Sequence, residues 1–178
     1  MKRNDSNGND VILIAALLTG ALFLMMACNQ ITRLLSGEPP TVEAGYQQIT
    51  SAHESYYYLI PEDWTKTGFN SYEGDKSEVI EQIYPPATIT EDYCRSFVYL
   101  EGSDYTVTVV ENRIYNNGQM EGCYIINDIL NTQLNKERRH TIFSFVTDRG
   151  VESLTIIVEK ENFSEEQVST IIDSIRIK

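Results

Sequence analysis

Three cysteines, two histidines and a scatter of carboxylates are the residues of this 178-residue chain whose types can carry chemistry. Cys94 and Cys123 form an even pair. In an oxidising compartment such a pair reads as a disulfide, and otherwise as two buried free thiols that behave as small apolar residues. A bond between them closes a loop of about 30 residues and contributes roughly 3 kcal/mol by loop entropy. Either thiol beside His140 would make a nucleophile–base dyad, but no flanking residue supports one. His53 and His140 stand far apart, with no Cys or carboxylate at ligand spacing, so neither a metal nor a cofactor is expected. Asp148 with Glu152, and Glu62 and Asp63 with Glu54, are pairings that could hold a cation or act as acid and base. Solvated turns and strand ends are the simpler reading of them. The sequence has no Gly-x-Ser-x-Gly, no phosphate-binding glycine loop and no dinucleotide fingerprint. Asn162-Phe163-Ser164 matches a glycosylation sequon but reads better as the cap of a helix.

Cys28 has a different context. It ends an uncharged apolar run, 11–27, that follows Lys2 and Arg3. At about 1.5 Å per residue the run spans roughly 25 Å, short for a hydrocarbon core about 30 Å thick. It is also slightly long for the apolar centre of a cleaved signal peptide. Leu24-Met25-Met26-Ala27-Cys28 resembles a bacterial lipobox, in which the cysteine takes a diacylglycerol thioether after a small residue. Ala27 and Cys28 match; Met25 and Met26 depart from the pattern. The alternative is a retained signal-anchor helix with Cys28 unmodified. Either way Lys2 and Arg3 precede the run and only Arg33 closely follows it, which puts the N-terminus inside. Residues 1–28 are therefore expected to be a signal peptide or membrane anchor, and 29–45 a linker stiffened by Pro39-Pro40. Residues 46–178 are expected to form one extracytoplasmic domain at the cell membrane.

The charge balance narrows the partners. The chain has 14 Lys+Arg against 26 Asp+Glu, a net charge of −12. Lys2 and Arg3 are offset by Asp5 and Asp10, so the whole excess belongs to the remainder. Such a body repels phosphate backbones and anionic headgroups, which argues against nucleic acid.

The elements that must position these residues follow from pattern. Residues 46–51 alternate weakly and suggest a first strand. Tyr56-Tyr57-Tyr58-Leu59-Ile60 suggests a strong one, ended by Pro61. Residues 65–76 are polar and Gly-punctuated, and read as a loop. Val79, Ile80 and Ile83 suggest a short helix over 77–84. Residues 94–100 and 105–110 read as strands joined by the turn 101–104, with Tyr105, Val107 and Val109 on one face. Ile126, Ile129, Leu130 and Leu134 predict a helix within 120–136. Residues 141–147 and 153–159 are apolar enough for the centre of a sheet. Ser164-Glu165-Glu166-Gln167 fits a capping box, and Val168, Ile171, Ile172 and Ile175 then recur at helical spacing.

Two of these segments carry a family resemblance. Tyr58-Leu59-Ile60-Pro61-Glu62-Asp63-Trp64 resembles the aromatic–apolar–Pro–Trp signature that ends an early strand in the PsbP-like fold. The closing segment 163–177, ending Ser174-Ile175-Arg176-Ile177, is similar to the C-terminal helix of that fold. The class is named for an extrinsic photosystem subunit. It also holds a nuclear-import factor that binds a small GTPase, and many bacterial lipoproteins. The resemblance implies an α+β domain, an antiparallel β-sheet flanked by helices as an α/β/α sandwich, here preceded by an N-terminal apolar helix. It also implies a non-enzymatic role; no particular activity transfers across so varied a fold. Residues specific to a photosystem or a GTPase are not seen. Trp64 reads as an apolar cap folded over the sheet edge.

The functional expectation is a membrane-tethered binding or interaction module without catalytic activity, with a protein or small-ligand partner. Its surface is expected near Tyr56, Tyr72, Tyr84 or Tyr115, since Tyr joins a large contact area to a polar tip. The alternatives are an assembly subunit of an envelope complex, or a carboxylate-dependent hydrolase.

Overall fold

Long runs of β-branched and aromatic residues dominate the second half of the sequence, and they set the architecture. A computed structural model of the chain describes residues 39–97, 102 and 104–178. The strands are β1 (Tyr46–Thr50), β2 (Tyr56–Pro61), β3 (Thr65–Lys66), β4 (Ser71–Gly74), β5 (Ser77–Tyr84), β6 (Tyr105–Asn116), β7 (Glu121–Asn131), β8 (Lys136–Thr147), β9 (Gly150–Glu159) and β10 (Arg176–Ile177). Among the described residues two α-helices, α1 (Glu91–Arg95) and α2 (Glu165–Asp173), and a 3₁₀ turn (Lys160–Asn162) accompany them. All pairing is antiparallel: a seven-stranded sheet in the order β3-β4-β5-β9-β8-β7-β6 and a three-stranded sheet β1-β2-β10. Pro39–Lys178 clusters as one unit.

Strand periodicity sorts the large sheet into two faces. Its inner face carries Val79 from β5, Phe143 and Phe145 from β8, and Leu154, Ile156 and Val158 from β9. These pack into one core with Tyr56, Tyr58 and Ile60 of β2, Trp64, and Val168, Ile171, Ile172 and Ile175 at the C-terminal helix. Phe143 and Phe145 stack at 5.5 Å, and Tyr56 meets Phe145 edge-on at 5.0 Å. Gly74 gives Trp64 its place: a Cβ there would collide with the indole ring. Ser164 caps α2, accepting from the Gln167 N–H at 3.3 Å. Val168, Ile171 and Ile172 along one side of α2, and Ile175 just after it, contribute about 1.5–2.5 kcal/mol each in gross transfer free energy.

The outer face is covered differently. Helix α1 is only five residues long and cannot hold itself in water. Thr90 caps it, and Cys94 is joined to Cys123 of β7, their Cα atoms 5.2 Å apart. Around that pair Ile125 and Ile142 form a second, smaller core with Ile89, Tyr93, Phe97 and Ile114.

The structure corrects several expectations. Residues 77–84 form strand β5, not a helix, and 121–131 form strand β7, not a helix. In both, apolar residues fall on both faces of the sheet, so the i, i+3, i+4 spacing is coincidental and β-branched propensity wins. Glu91–Arg95, expected in part as a strand, is helical under its Thr90 cap. Within 65–76, expected as a loop, lie β3 and β4. The fold is mostly antiparallel β-sheet with few helices rather than α+β. Of the expected turn 101–104, Gly102 and Asp104 are described, and Gly102 forms a bridge with Tyr105. The expected N-terminal apolar helix, Cys28, most of the linker 29–45, residues 98–101 and residue 103 lie outside the described residues. Among the described residues no helix is long and apolar enough to cross a membrane.

Candidate functional site

Strand β8 begins Lys136-Glu137-Arg138-Arg139-His140, where four of the five residues are basic in a chain of net charge −12. Strand alternation divides them. Glu137 and Arg139 share the inner side, where Arg139 grips Asp128 of β7 at 2.7 and 2.9 Å. Lys160 of the 3₁₀ turn adds contacts of 2.9 Å to Asp128 and 2.7 Å to Glu137. These partners, the Arg139 guanidinium first, hold the Asp128 carboxyl below its ordinary range. Arg139 also lies 4.7 Å over the Phe163 ring. The network fixes β7, β8 and the turn against one another.

Lys136, Arg138 and His140 share the outer side. The register places each in a cross-strand row: Tyr105–Asn131–Lys136, Val107–Ile129–Arg138 and Val109–Asn127–His140. Every row runs from a large apolar or aromatic side chain on β6 to a basic one on β8. Strands lie about 4.8 Å apart, so each row is roughly 10 Å wide. The β7–β8 turn supplies a wall. Asn131 accepts from the Gln133 and Leu134 N–H groups at 3.1 and 2.9 Å, Asn135 takes a positive φ of 49°, and Gln133 donates to Asp104 at 2.9 Å. That ties the turn and leaves Leu134 68% exposed beside the rows. The result is a cleft of about 520 Å³ lined by Tyr105, Val107, Ile129, Leu134, Arg138 and His140, among others.

Its electrostatics are cationic. Arg138 has no ion pair among the described residues, and Lys136 has only a 3.7 Å contact with Glu159. Burial, and then Arg138, pushes the His140 pKa down to about 4, so its ring is neutral at pH 7. Neither this cleft nor the larger cavity near α1 is lined by a carboxylate among the described residues. The cleft can receive an anionic group at Arg138 and Lys136 and an apolar body over Val107, Ile129 and Leu134.

The residues singled out from sequence fall elsewhere. Tyr56 is wholly buried in the core; this corrects its placement on a binding surface. Tyr72 and Tyr115 pack against the same core, and Tyr115 donates to Asp173 at 2.8 Å. Tyr84 lines the cavity near α1. Asp148 is exposed while Glu152 is buried and accepts from Thr147 at 2.7 Å. His53 lies edge-on to Phe69, 6.0 Å between centroids. Among the described residues no group of three or more His, Cys, Asp or Glu could hold a metal ion. Glu81 drew no notice in the sequence. It is buried, accepts from the Tyr58 hydroxyl and the Ala52 N–H at 2.6 Å each, and has its pKa raised chiefly by burial. The cleft itself had a sequence signal: alternating basic residues at 136, 138 and 140, hidden while 120–136 read as a helix.

No protein-family model and no curated protein sequence matches the chain. Among solved structures it is similar to the cyanobacterial PsbP (CyanoP) of Synechocystis sp. PCC 6803, with a TM-score of 0.58 over 78% of this chain and 95% of that one. The fold is PsbP-like. At 11% identity the likeness to CyanoP extends to the PsbP-like fold alone. A protein of Bacteroides thetaiotaomicron VPI-5482 aligns at a TM-score of 0.48 and 12% identity, over 75% of this chain. The chain spans about half of that protein's length, 49%.

Proposed function

We propose that this chain is an extracytoplasmic binding module, tethered to the membrane through its N-terminal segment, that acts without catalysis. Its ligand carries an anionic group on an apolar body and docks in the cleft of β6, β7 and β8. The observation that carries this is Arg138: a guanidinium without an ion pair among the described residues, set beside Val107 and Ile129 in an acidic chain. Arg138 is opposite Glu159 in register and close enough to Glu78 to act on its carboxyl, yet it forms no ion pair with either. Its guanidinium therefore keeps donors for a ligand, unlike Arg139 and Lys160. The PsbP-like fold accommodates such a module but assigns it no ligand.

The test is an NMR titration of the full chain with octanoate, using octanol and acetate as controls. Octanoate is expected to move the amide signals of Val107, Ile129 and Arg138, and both controls to bind more weakly. Arg138→Glu is expected to weaken octanoate binding about tenfold, the loss of roughly one charge-assisted hydrogen bond at an exposed site. Its melting temperature should hold, because Arg138 is exposed. Equal binding of octanol and octanoate, or shifts confined to other regions, would refute the assignment.

A further inference from the structure

A second cavity, of about 720 Å³, opens on the outer face of the large sheet at the β5–β9 side. Its floor is Gln82 and Tyr84 of β5, Ile142 of β8 and Thr155 of β9. Pro85, Pro86 and Ala87 form one wall, and Tyr93, Ser96 and Phe97, on and just after α1, form the other. None of these ten residues is charged, in a chain where 22% of residues are. The aromatic wall is built as a unit: Phe97 meets Tyr84 at 5.2 Å and 83°, and Tyr93 at 5.2 Å and 80°. The Cys94–Cys123 link holds that wall to the sheet. The polar groups are neutral as well. The Tyr84 hydroxyl donates to the Gln82 side-chain oxygen at 3.1 Å, which leaves the Gln82 amide nitrogen, on an exposed residue, to donate to a ligand. Tyr93 adds a phenol to the same lining.

This lining selects by elimination. A charged ligand would lose its hydration and find no counter-ion. A wholly apolar ligand would cover the Gln82 amide and the tyrosine hydroxyls without satisfying them. A neutral ring with a flat C–H face and hydroxyls at its edge meets both demands: the face packs on one ring of the near-perpendicular Tyr84–Phe97 pair, and the hydroxyls take the amide and phenol groups. We propose that the cavity of Tyr84, Tyr93, Phe97 and Gln82 is a binding site for a neutral sugar unit, separate from the basic cleft and independent of its assignment.

The experiment is a titration of the full chain, in a detergent without a sugar headgroup, with methyl β-glucoside, methyl β-galactoside and N-acetylglucosamine. Benzyl alcohol is the neutral aromatic control and glucuronate the charged one. At tens of millimolar, at least one neutral sugar is expected to shift the ring signals of Tyr84 and Phe97 and to leave those of Tyr105 in place. Glucuronate is expected to bind at least tenfold more weakly. Tyr84→Ala should abolish the response. Tyr84→Phe, which keeps the ring and loses the hydroxyl, should weaken it several-fold. Reduction of the Cys94–Cys123 link should abolish the sugar response and spare octanoate binding at the basic cleft. Shifts with benzyl alcohol but with no sugar would overturn the proposal, as would no shift with any of the neutral sugars.

Discussion

His140 shows at the scale of one residue how the cleft sets its own charge. Its imidazole lies next to Arg138 along β8 and is largely covered, so protonation must overcome both lost hydration and a like charge. The folded-state pKa of about 4 lies below the unfolded value of about 6.5. The sign follows from linkage. Above pH 6.5 neither state holds the proton and His140 costs nothing. Between 6.5 and 4 the unfolded chain takes the proton and the folded chain resists, so stability falls with falling pH. The slope is about 1.4 kcal/mol per unit, and the total at most about 3 to 4 kcal/mol. His140→Gln removes this dependence. In thermal melts from pH 7 to pH 4.5 the variant is expected to gain on the wild type as the pH drops. Parallel curves would mean that the ring is protonated freely in the fold. The cleft thus keeps a neutral donor–acceptor group beside a permanent cation across the neutral range, and its attraction for anions rests on Arg138 and Lys136.

Among the elements, α1 is the one most dependent on a single covalent contact. Five residues cannot sustain a helix through propensity, and Cys94 is its only buried side chain. Replacing Cys94 and Cys123 together by Ser is expected to cost about 3 kcal/mol, the loop-entropy contribution of a ring of roughly 30 residues. Hydrogen exchange should show the amide of Cys94, which donates to Thr90, losing protection while those of β8 and β9 keep theirs. Uniform loss of protection would mean that the link stabilises the whole fold rather than its outer face. The same element shows what the sequence could not convey. The strands at the sheet centre and the capped helix α2 were legible, because there local propensity and burial pattern agree: Phe143, Phe145, Leu154 and Ile156 alternate, and Ser164 caps. β5 and β7 were not legible, because apolar residues fall on both of their faces. Burying Glu81 and Asn127 breaks the apolar alternation that would mark a strand. The basic cleft was hidden for the same reason: its rows exist only once β6, β7 and β8 are in register.

Across the whole molecule, the charge of the chain decides how it can stay at a membrane. A body of net charge −12 is repelled by anionic headgroups, and its concentrated basic run, 136–140, is partly consumed by Asp128 and Glu137. Adsorption through the domain surface would therefore be weak and would vanish within a Debye length of about 8 Å at physiological salt. Under the proposed tethering, retention would come from the N-terminal apolar run or from lipid on Cys28, and the two differ in mass. Membranes washed with high salt are expected to keep the chain, since neither tether is electrostatic. Intact-mass measurement of the retained species is expected to give a chain beginning at Cys28 and carrying a diacylglycerol group. An unmodified chain from Met1 to Lys178 in the washed membrane would replace lipid with a retained helix. Release by salt would defeat both tethers and leave the basic cleft as the membrane contact. The distinction matters for the proposed cleft, because a tether of either kind would raise the local concentration of the domain at the membrane surface.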